Sequence, residues 1–544
     1  MINNIALIPA AGRGTRMKSV TDKYPKAMIP HLGKPIIGHQ IEYLIKEGFD
    51  KVVIVVGYQK DILMQYVIKN YADKIRILFA NQDELDGLAT AILEGINALN
   101  EKDLLLSNLT IILGDILPQE EMPYFNGESF ICYKEVDDWQ RWCMVKELYS
   151  GRLCFYDKPI DKPNTNKALM GIYMFNDIDL LKESIEHIKE KNIRINGEFQ
   201  LSSAMNIYNE HVNINLKKYE KFIDFGQAED ISAARKNAAR YFNDILIEDE
   251  VVTKRSTDKS KMYDESMWYQ LAKNYLGDYL PECYGMTKEN DGYKMSRIKL
   301  PSLQEQFVFG TLSRVEAYQL MIDLMNYFKD TKKYGTKRPN LIKANQDMFI
   351  NKTRERIEKI KNMFDEKYYV INGEIKENPI FIFEEKIVPR LEEIIADDNY
   401  AAMIHGDLFF GNMMYDPKGE DGQRLKIIDP RGKYGEDNRL MGDMRYDYAK
   451  LNHSISGYYD FIINGLYYLE DNGTVINYNF YDSEKQVEVQ GLFEDLLSLS
   501  HMKKKDIDMI TGILFLSMIP LHKENKNNQI IQFAQAIKFL ELGA

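Results

Sequence analysis

The chain has 544 residues, 45% of them hydrophobic and 28% charged, with a formal net charge of −12. That length predicts two to four domains of ordinary globular composition. The acidic balance excludes a nucleic-acid-binding surface as the main role, and no apolar run is long enough to insert into a membrane. Cys132, Cys143, Cys154 and Cys283 lie scattered, without CxxC or zinc spacing. They read as reduced structural thiols of a cytoplasmic protein. "INNIALIPAAG" lacks the apolar core of a signal peptide and reads as a first buried strand.

Residues 1–240 alternate short apolar runs with amphipathic ones. "NIALIPA", "KVVIVVG", "IRILFAN" and "LTIILGD" read as strands, "PIIGHQIEYLIKEG" and "LATAILEGINALN" as helices between them. This rhythm predicts an α/β domain on a doubly wound, mostly parallel, Rossmann-like sheet, with ligands beyond the strand C-termini. The Ala-rich stretch "AEDISAARKNAARYF" at 228–242 is expected to close it as a helix.

The first strand runs into Gly12-Arg13-Gly14-Thr15-Arg16-Met17. Met17 stands where a dinucleotide fingerprint has its third glycine, and Lys34 where that fingerprint has its ribose-binding acid. Arg13, Arg16 and Lys26 supply cations instead. Bared backbone N–H groups followed by fixed positive charges suit a triphosphate whose pyrophosphate must leave. "ILGD" then ends a strand with Asp115, and "FIDFG" sets Asp224 among apolar neighbours. Meeting at one site, two carboxylates can hold Mg²⁺ on an α-phosphate; singly, each is an ordinary turn residue. "YDKP" offers the Lys158 ammonium to an acceptor's phosphate. "NGEFQLSSA" offers Glu198 either to sugar hydroxyls or to a helix N-terminus.

In this order the motifs resemble those of the sugar-phosphate nucleotidyltransferases, nearest the glucose-1-phosphate thymidylyltransferases, across residues 1–240. "AAGRGTRM…PKAMIPHLGKPII" resembles their opening signature, "NQDELDGLATAI" their base-recognising segment, and "YDKPIDKPNTNKALMGIYMFN" their acceptor-phosphate lysine and following strand. The resemblance implies that Gly12, Gly14, Arg16 and Lys26 hold the triphosphate, and Gln82 and Gly87 the base of UTP, CTP or dTTP. It also implies Mg²⁺ on Asp115 and Asp224, with Lys158, Gly171 and Glu198 meeting the acceptor. The chain departs from the family at Phe222-Ile223-Asp224-Phe225-Gly226 and in the bulky "DDWQRWCM" at 137–144, which leaves the acceptor's identity open.

From about residue 241 the pattern changes. "FNDILIEDEVVTKRS" reads as paired strands and "KSKMYDESMWYQLAKNYLG" as a helix; helical periodicity dominates beyond about 312. "HGDLFFGN" supplies Asp407 to take a hydroxyl proton and Asn412 to bind metal. "LKIID" ends a strand with Asp429, suited to Mg²⁺ on ATP phosphates, and "PKGEDG" turns the chain between the two motifs. Lys254 and Glu265 are the expected ATP lysine and its partner acid, with Arg255, Lys259 and Asp264 as rivals; Asp443 and Asp447 read as helix caps. This half resembles the aminoglycoside and choline kinase-like phosphotransferases. The resemblance implies a two-lobed, protein-kinase-like α+β domain over 241–544, with lobes at about 241–315 and 316–544, and carries base and metal-ligand roles onto Asp407, Asn412 and Asp429.

Two such sites in one chain imply consecutive steps. A kinase phosphorylates a sugar or polyol-like acceptor with ATP, and a nucleotidyltransferase joins the phosphate to a second NTP for surface glycan or capsule synthesis. The alternative is a choline or ethanolamine kinase joined to a CTP-dependent cytidylyltransferase. A quaternary amine needs an aromatic cage, for which "SGYYDFI" at 456–462 has the residues but the spacing of a core. A third reading leaves one domain as a nucleotide-binding regulator of the other. An oligomer is compatible with each.

Overall fold

Valine- and isoleucine-rich runs that are buried on both faces form parallel strands covered by helices, and the N-terminal part of the chain is built this way. The structure is a computed structural model. It describes residues 3–12, 25–31, 34–57, 60–124, 127–159, 161–226, 244–248, 250–310, 312–333, 341–436, 438–482 and 484–544. The chain divides into two units, Met1–Arg235 and Lys236–Ala544. Gly14, Arg16 and the Ala-rich stretch at 228–242 lie outside the described residues.

In the first unit, β1 (Asn3–Pro9) leads to α1 (Ile36–Lys46), β2 (Lys51–Val56), β3 (Arg76–Asn81), α2 (Leu88–Asn97) and β4 (Ser107–Ile112). β1 lies parallel to β2, with Ile5 opposite Lys51, and to β4, with Asn3 opposite Ser107. The chain thus leaves β1 toward one neighbour and returns on the other side. That is the switch point of a doubly wound sheet, where the loops after β1 and β4 part and leave a crevice.

The rest of this sheet is mixed, with antiparallel pairs and one further parallel pair. β5 (Ile116–Pro118), β6 (Ser129–Glu135), β7 (Cys143–Glu147), β8 (Leu153–Asp157), β9 (Lys167–Phe175), α3 (Leu201–His211), β10 (Ile214–Lys218) and β11 (Phe222–Asp224) complete the unit. The order is β8-β7-β9-β4-β1-β2-β3, with β6 pairing β9 and β10. β9 runs antiparallel to β4, β6 and β7, so the expectation of a mostly parallel sheet holds for β3-β2-β1-β4 and gives way beyond it. Short connections such as that between β7 and β8 permit only antiparallel pairing. The β9–β6 register shifts between Leu169 and Tyr173, around Gly171 at φ 76°. Such a bulge bends a strand and re-aims its neighbours.

The second unit opens with an antiparallel sheet. β12 (Asp244–Glu248), β13 (Val251–Arg255), β14 (Cys283–Met286) and β15 (Gly292–Ser296) pair in the order β12-β13-β15-β14. α4 (Lys259–Leu276) follows β13, its first turn capped by the Asp258 carboxylate, which accepts from the Lys261 N–H. It buries Glu265, Trp268 and Tyr269, and the Trp268 Nε1–H donates to the Ile404 carbonyl at 2.9 Å. α5 (Arg314–Thr331) starts with a capping box of Ser313 and Glu316.

Helices dominate the remainder of this unit, yet two hairpins interrupt them: β16 (Tyr368–Ile371) with β17 (Glu374–Glu377), and, late in the chain, Tyr467–Asp471 with Val475–Phe480. Periodicity alone missed both, because runs this short are ambiguous between helix and strand. The legible signal was Asn372-Gly373, whose positive φ values of 49° and 86° are those of a tight hairpin turn. β18 (Met413–Tyr415) and β19 (Leu425–Ile427) form a smaller antiparallel pair. Three helices close the unit: α6 (Met444–Ile455), α7 (Lys504–Met518) and α8 (Lys526–Gly543). Among the described residues no helix is long and apolar enough to cross a membrane.

Two helical glycines separate backbone entropy from packing. A Cβ on Gly512 would lie 2.8 Å from the Leu540 backbone nitrogen, whereas one on Gly491 meets nothing within 4 Å. Gly491→Ala is expected to stabilise the chain by about 0.5–1 kcal/mol. Gly512→Ala should destabilise it by about 1–3 kcal/mol through overpacking. Denaturation midpoints of the full chain, with hydrogen exchange in α7 and α8, check both.

Candidate functional sites

The crevice beside β1 is a cavity of about 660 Å³, lined by Gly12, Lys26, Gln82, Gly87, Asp115 and Glu198 among others. A smaller cavity of about 200 Å³ shares Leu88, Leu113, Asp115 and Gly226 with it and adds Arg141, Lys158, Gly171 and Asp224. Asp115 therefore stands on the common wall. Its loop can close on β1 because Gly114 has no Cβ; one there would fall 2.7 Å from the Pro9 carbonyl oxygen. Gly171 closes the other side, where a Cβ would lie 2.9 Å from Ile116 Cγ1.

Backbone pairing holds the two carboxylates at the joint. β11 pairs with β5, setting Asp224 opposite Ile116, and the Phe225 N–H donates to the Asp115 carbonyl at 2.9 Å. Each carboxylate has a cation: Lys26 Nζ is 2.7 Å from Asp115 Oδ2, and Arg141 Nη2 is 2.8 Å from Asp224 Oδ2. Among the described residues no group of three or more His, Cys, Asp or Glu could hold a metal. A two-carboxylate donor set suits Mg²⁺, which keeps several waters and takes its remaining oxygens from substrate phosphates.

Gln82 is buried, and its Nε2 donates to the carbonyls of Glu84 at 3.0 Å and Gly87 at 3.2 Å, which shapes the loop. Gly87, at φ 136°, lets this loop touch the Glu198 segment; a Cβ would lie 2.6 Å from the Phe199 nitrogen. The Phe199 N–H donates to Asp86 and the Phe199 carbonyl accepts from Ala89, which ties the segments together. Glu198 lines the larger cavity and not the smaller one that holds Lys158 and Gly171. Lys158 sits in a turn at φ 45°, its N–H donating to the Trp142 carbonyl. Sequence reasoning noted the bulk of the 137–144 loop but missed that it sends Arg141 to Asp224, with the guanidinium 4.6 Å from the Trp142 ring centre.

In the second unit a cleft of about 830 Å³ gathers Lys254, Glu265, Asp407, Asn412 and Asp429. Lys254, on β13, is almost fully buried between two carboxylates, 2.8 Å from Glu265 Oε2 and 3.0 Å from Asp429 Oδ1. Burial opposes the ammonium, but Asp429 and Glu265 together raise it above the ordinary lysine range. The rivals are engaged elsewhere: Arg255 with Asp291, Lys259 with the Glu289 carbonyl, Asp264 with Arg439. Asp429 lies two residues past β19 at φ 58°, its N–H donating to the Tyr269 hydroxyl. Non-glycine residues held in this region cluster at functional sites, where surrounding contacts enforce the strain.

Asp407 is held by two side chains. Lys450 Nζ lies 2.9 Å from its Oδ1, and Asn412 Nδ2 donates to its carbonyl at 2.9 Å and to its Oδ2 at 3.2 Å. Burial pushes this carboxyl up, but the Lys450 ammonium, with Arg431, outweighs it and holds it below the usual range. His405 is buried, its Nδ1 accepting from the Asp407 N–H while its Nε2–H donates to the Ile428 carbonyl. Burial lowers its pKa to about 4, so the ring is neutral.

Asp443 caps α6 as expected, but Asp447 does not. Its carboxylate accepts the N–H groups of His405 at 2.7 Å and Gly406 at 2.8 Å, which anchors the Asp407 loop from α6. Sequence reading gave Asp447 only as a helix cap and did not single out Lys450 in "DYAKL".

Burial raises the Asp447 pKa to about 7. A folded value above the unfolded ~3.9 means that the native state binds more protons between the two values. This contribution to stability is fully present below about pH 4 and is lost as pH rises through 7. The stability advantage of the wild type over Asp447→Asn should therefore shrink across that window, by at most ~1.4 kcal/mol per pH unit. Denaturation midpoints of both full-length proteins between pH 4 and 8 measure it.

Comparison with known proteins adds a family to the first unit. Residues 5–240 match the family model described as nucleotidyl transferase. A UTP–glucose-1-phosphate uridylyltransferase (AglF) of Haloferax volcanii is 28% identical over 207 residues, 37% of this chain and 82% of that protein. A bifunctional protein GlmU of Methanocaldococcus jannaschii is 29% identical over 254 residues, 46% of this chain. A mannose-1-phosphate guanylyltransferase 1 of Arabidopsis thaliana is 32% identical over 200 residues, 33% of this chain. The matches span 58% and 54% of these last two proteins. Among solved structures, a UDP-glucose pyrophosphorylase complexed with UDP-glucose aligns to 44% of this chain and 100% of its own, with 24% identity and a TM-score of 0.38. Residues 5–240 of the chain form a nucleotidyl transferase domain.

Proposed function

We propose that the chain is a bifunctional cytoplasmic enzyme that phosphorylates a small hydroxyl compound with ATP and joins the resulting phosphate to a pyrimidine NTP. The observation that carries this reading is the meeting of Lys254, Glu265, Asp407, Asn412 and Asp429 in one cleft. A buried lysine paired with a helix acid, a cleft carboxylate and an amide–acid pair are the parts of a phosphoryl-transfer site. The second unit is then a two-lobed kinase-like domain, its antiparallel sheet and α4 facing the helical part that carries Asp407.

In the second unit Lys254 orients the ATP phosphates, with Glu265 fixing its ammonium. The acceptor hydroxyl gives its proton to Asp407 as its oxygen attacks the γ-phosphorus, the bond to the β,γ-bridging oxygen breaks, and ADP leaves. In the first unit the acceptor's phosphate oxygen attacks the α-phosphorus of the NTP, and the bond to the α,β-bridging oxygen breaks to release pyrophosphate. Gly12 and Lys26, with Gly14 and Arg16, receive the triphosphate, Gln82 and Gly87 the base, and Lys158 the acceptor phosphate. Positioning and charge neutralisation supply the rate in both units. Mg²⁺, held by Asp115 and Asp224 in one unit and by Asn412 and Asp429 in the other, would neutralise phosphate charge.

The relatives named as sugar-1-phosphate uridylyl- and guanylyltransferases support a sugar phosphate as the intermediate. The product, an NDP-activated compound, fits surface glycan or capsule assembly. The choline or ethanolamine alternative draws no support from the 456–462 aromatics, since Tyr458, Tyr459 and Phe461 are buried in the core.

Asp407→Asn should lower kcat for acceptor-dependent ADP formation about 10²–10⁴-fold, the usual worth of a general base. Pyrophosphate release from NTP and sugar phosphate should stay at the wild-type rate. Asp115→Asn should do the reverse. Assaying ADP and pyrophosphate in both variants checks the assignment, and ADP formation that survives Asp407→Asn refutes the base.

A further inference from the structure

The second cleft contains more positive charge than ATP chemistry uses. Lys352, Arg356, Arg431, Lys433 and Lys450 all line it, in a chain whose formal net charge is −12. Lys450 is committed to Asp407. Arg356 donates through Nη1 to the Ser517 carbonyl at 2.9 Å. Lys352 has no carboxylate within ion-pair distance among the described residues. Burial depresses its ammonium well below the ordinary range, and the charges of Arg431, Arg356 and Lys450 depress it further. The Arg356 guanidinium is lowered by burial too, with Arg431 adding to the effect.

Carboxylates line the cleft too, but among the described residues none lies within ion-pair distance of Lys352, Arg356 or Arg431, and a bound anion would relieve the repulsion among these three. Asp407 is the acid that acts on Lys352, whereas Lys254 is governed by Asp429 and Glu265. Lys352 also follows directly on a π-helical turn, Gln346–Asn351, that sends Asp347 and Met348 into the cleft wall. Such widenings are rare and occur frequently at functional sites. An anion on Lys352 and Arg356 would set the rest of the same molecule beside Asp407, the position of an acceptor hydroxyl.

We infer that the acceptor phosphorylated in the second unit carries an anionic group, a carboxylate or a phosphate, bound by Lys352 with Arg356 and Arg431. This rests on the proposed kinase activity, to which it adds the acceptor's chemical class. A cationic acceptor such as choline meets the wrong charge on this wall.

The test measures ADP formation by the full chain with ATP and Mg²⁺ on matched acceptors: glycerol, glycerate and glycerol 3-phosphate; glucose and glucuronate; choline. At least one anionic member should exceed its neutral counterpart in kcat/KM by tenfold or more, and glycerate against glycerol 3-phosphate tells carboxylate from phosphate. Lys352→Met should raise KM for that acceptor at least tenfold with KM for ATP unchanged, and Lys352→Arg should restore most of it. Neutral or cationic acceptors that match or exceed the anionic ones overturn the inference and leave the kinase reading standing. A shift in the KM for ATP in Lys352→Met overturns it too, by assigning the cluster to ATP. Silence with every acceptor overturns it as well; binding of a non-hydrolysable ATP analogue, weakened by Asp429→Asn, then shows whether the ATP site survives.

Discussion

A lysine ammonium out of water must have its charge answered nearby, and the second unit is arranged around one that is 2% exposed. Lys254 comes from the sheet, Glu265 from α4 and Asp429 from the segment after β19, so a single charge balance ties three elements together. Breaking a buried pair by removing one partner costs about 3–5 kcal/mol, because the survivor is left uncompensated. The same balance explains the packing of the Asp429 segment. Gly432 brings it against α4, where a Cβ would lie 2.6 Å from the Glu265 nitrogen. The Tyr293 hydroxyl donates to Glu265 Oε2 from the neighbouring strand.

Much of both sites was legible in the sequence, for a reason that differs between them. In the first unit the strand C-termini were readable from apolar runs, and a doubly wound sheet gathers its loops at the switch point. Placing Gly12, Gln82 and Asp115 on those loops therefore placed them in one crevice. In the second unit, Asp407, Asn412 and Asp429 belong to local motifs, and Lys254 was found by its place on a strand ahead of a helix. What escaped reading were groups whose role depends on distant backbone. Asp447 serves N–H groups of residues 405 and 406, Arg141 reaches Asp224, and Lys352 joins Asp407 on the lining of one cleft only through the tertiary fold. Short hairpins escaped because a few β-branched residues fit either period.

The two units differ in how tightly their resting charges are held. Lys26 and Asp115 are 18% and 30% exposed, so their pair sits at the wall of an open cavity. Pairs of this kind are worth about 0–1 kcal/mol. On the proposed reading, an incoming triphosphate would take Lys26 from Asp115 and leave the carboxylate free to hold a cation. Arg141 stands in the same relation to Asp224, at 31% and 17% exposure. On that reading the first unit would exchange its resting ion pairs for contacts with the ligand.

In the second unit exchange at Lys254 would strand Glu265, which burial already pushes above the ordinary carboxyl range. On the proposed kinase reading, phosphates would join the Lys254–Glu265 pair rather than replace Glu265, and the partner free to yield would be Asp429, whose side chain is 31% exposed. The acid that yields is also the one read as a metal ligand. On that reading Asp429 would be released from Lys254 and would be available to hold a cation. The strained backbone at φ 58° fixes the Asp429 backbone while its carboxylate changes partner.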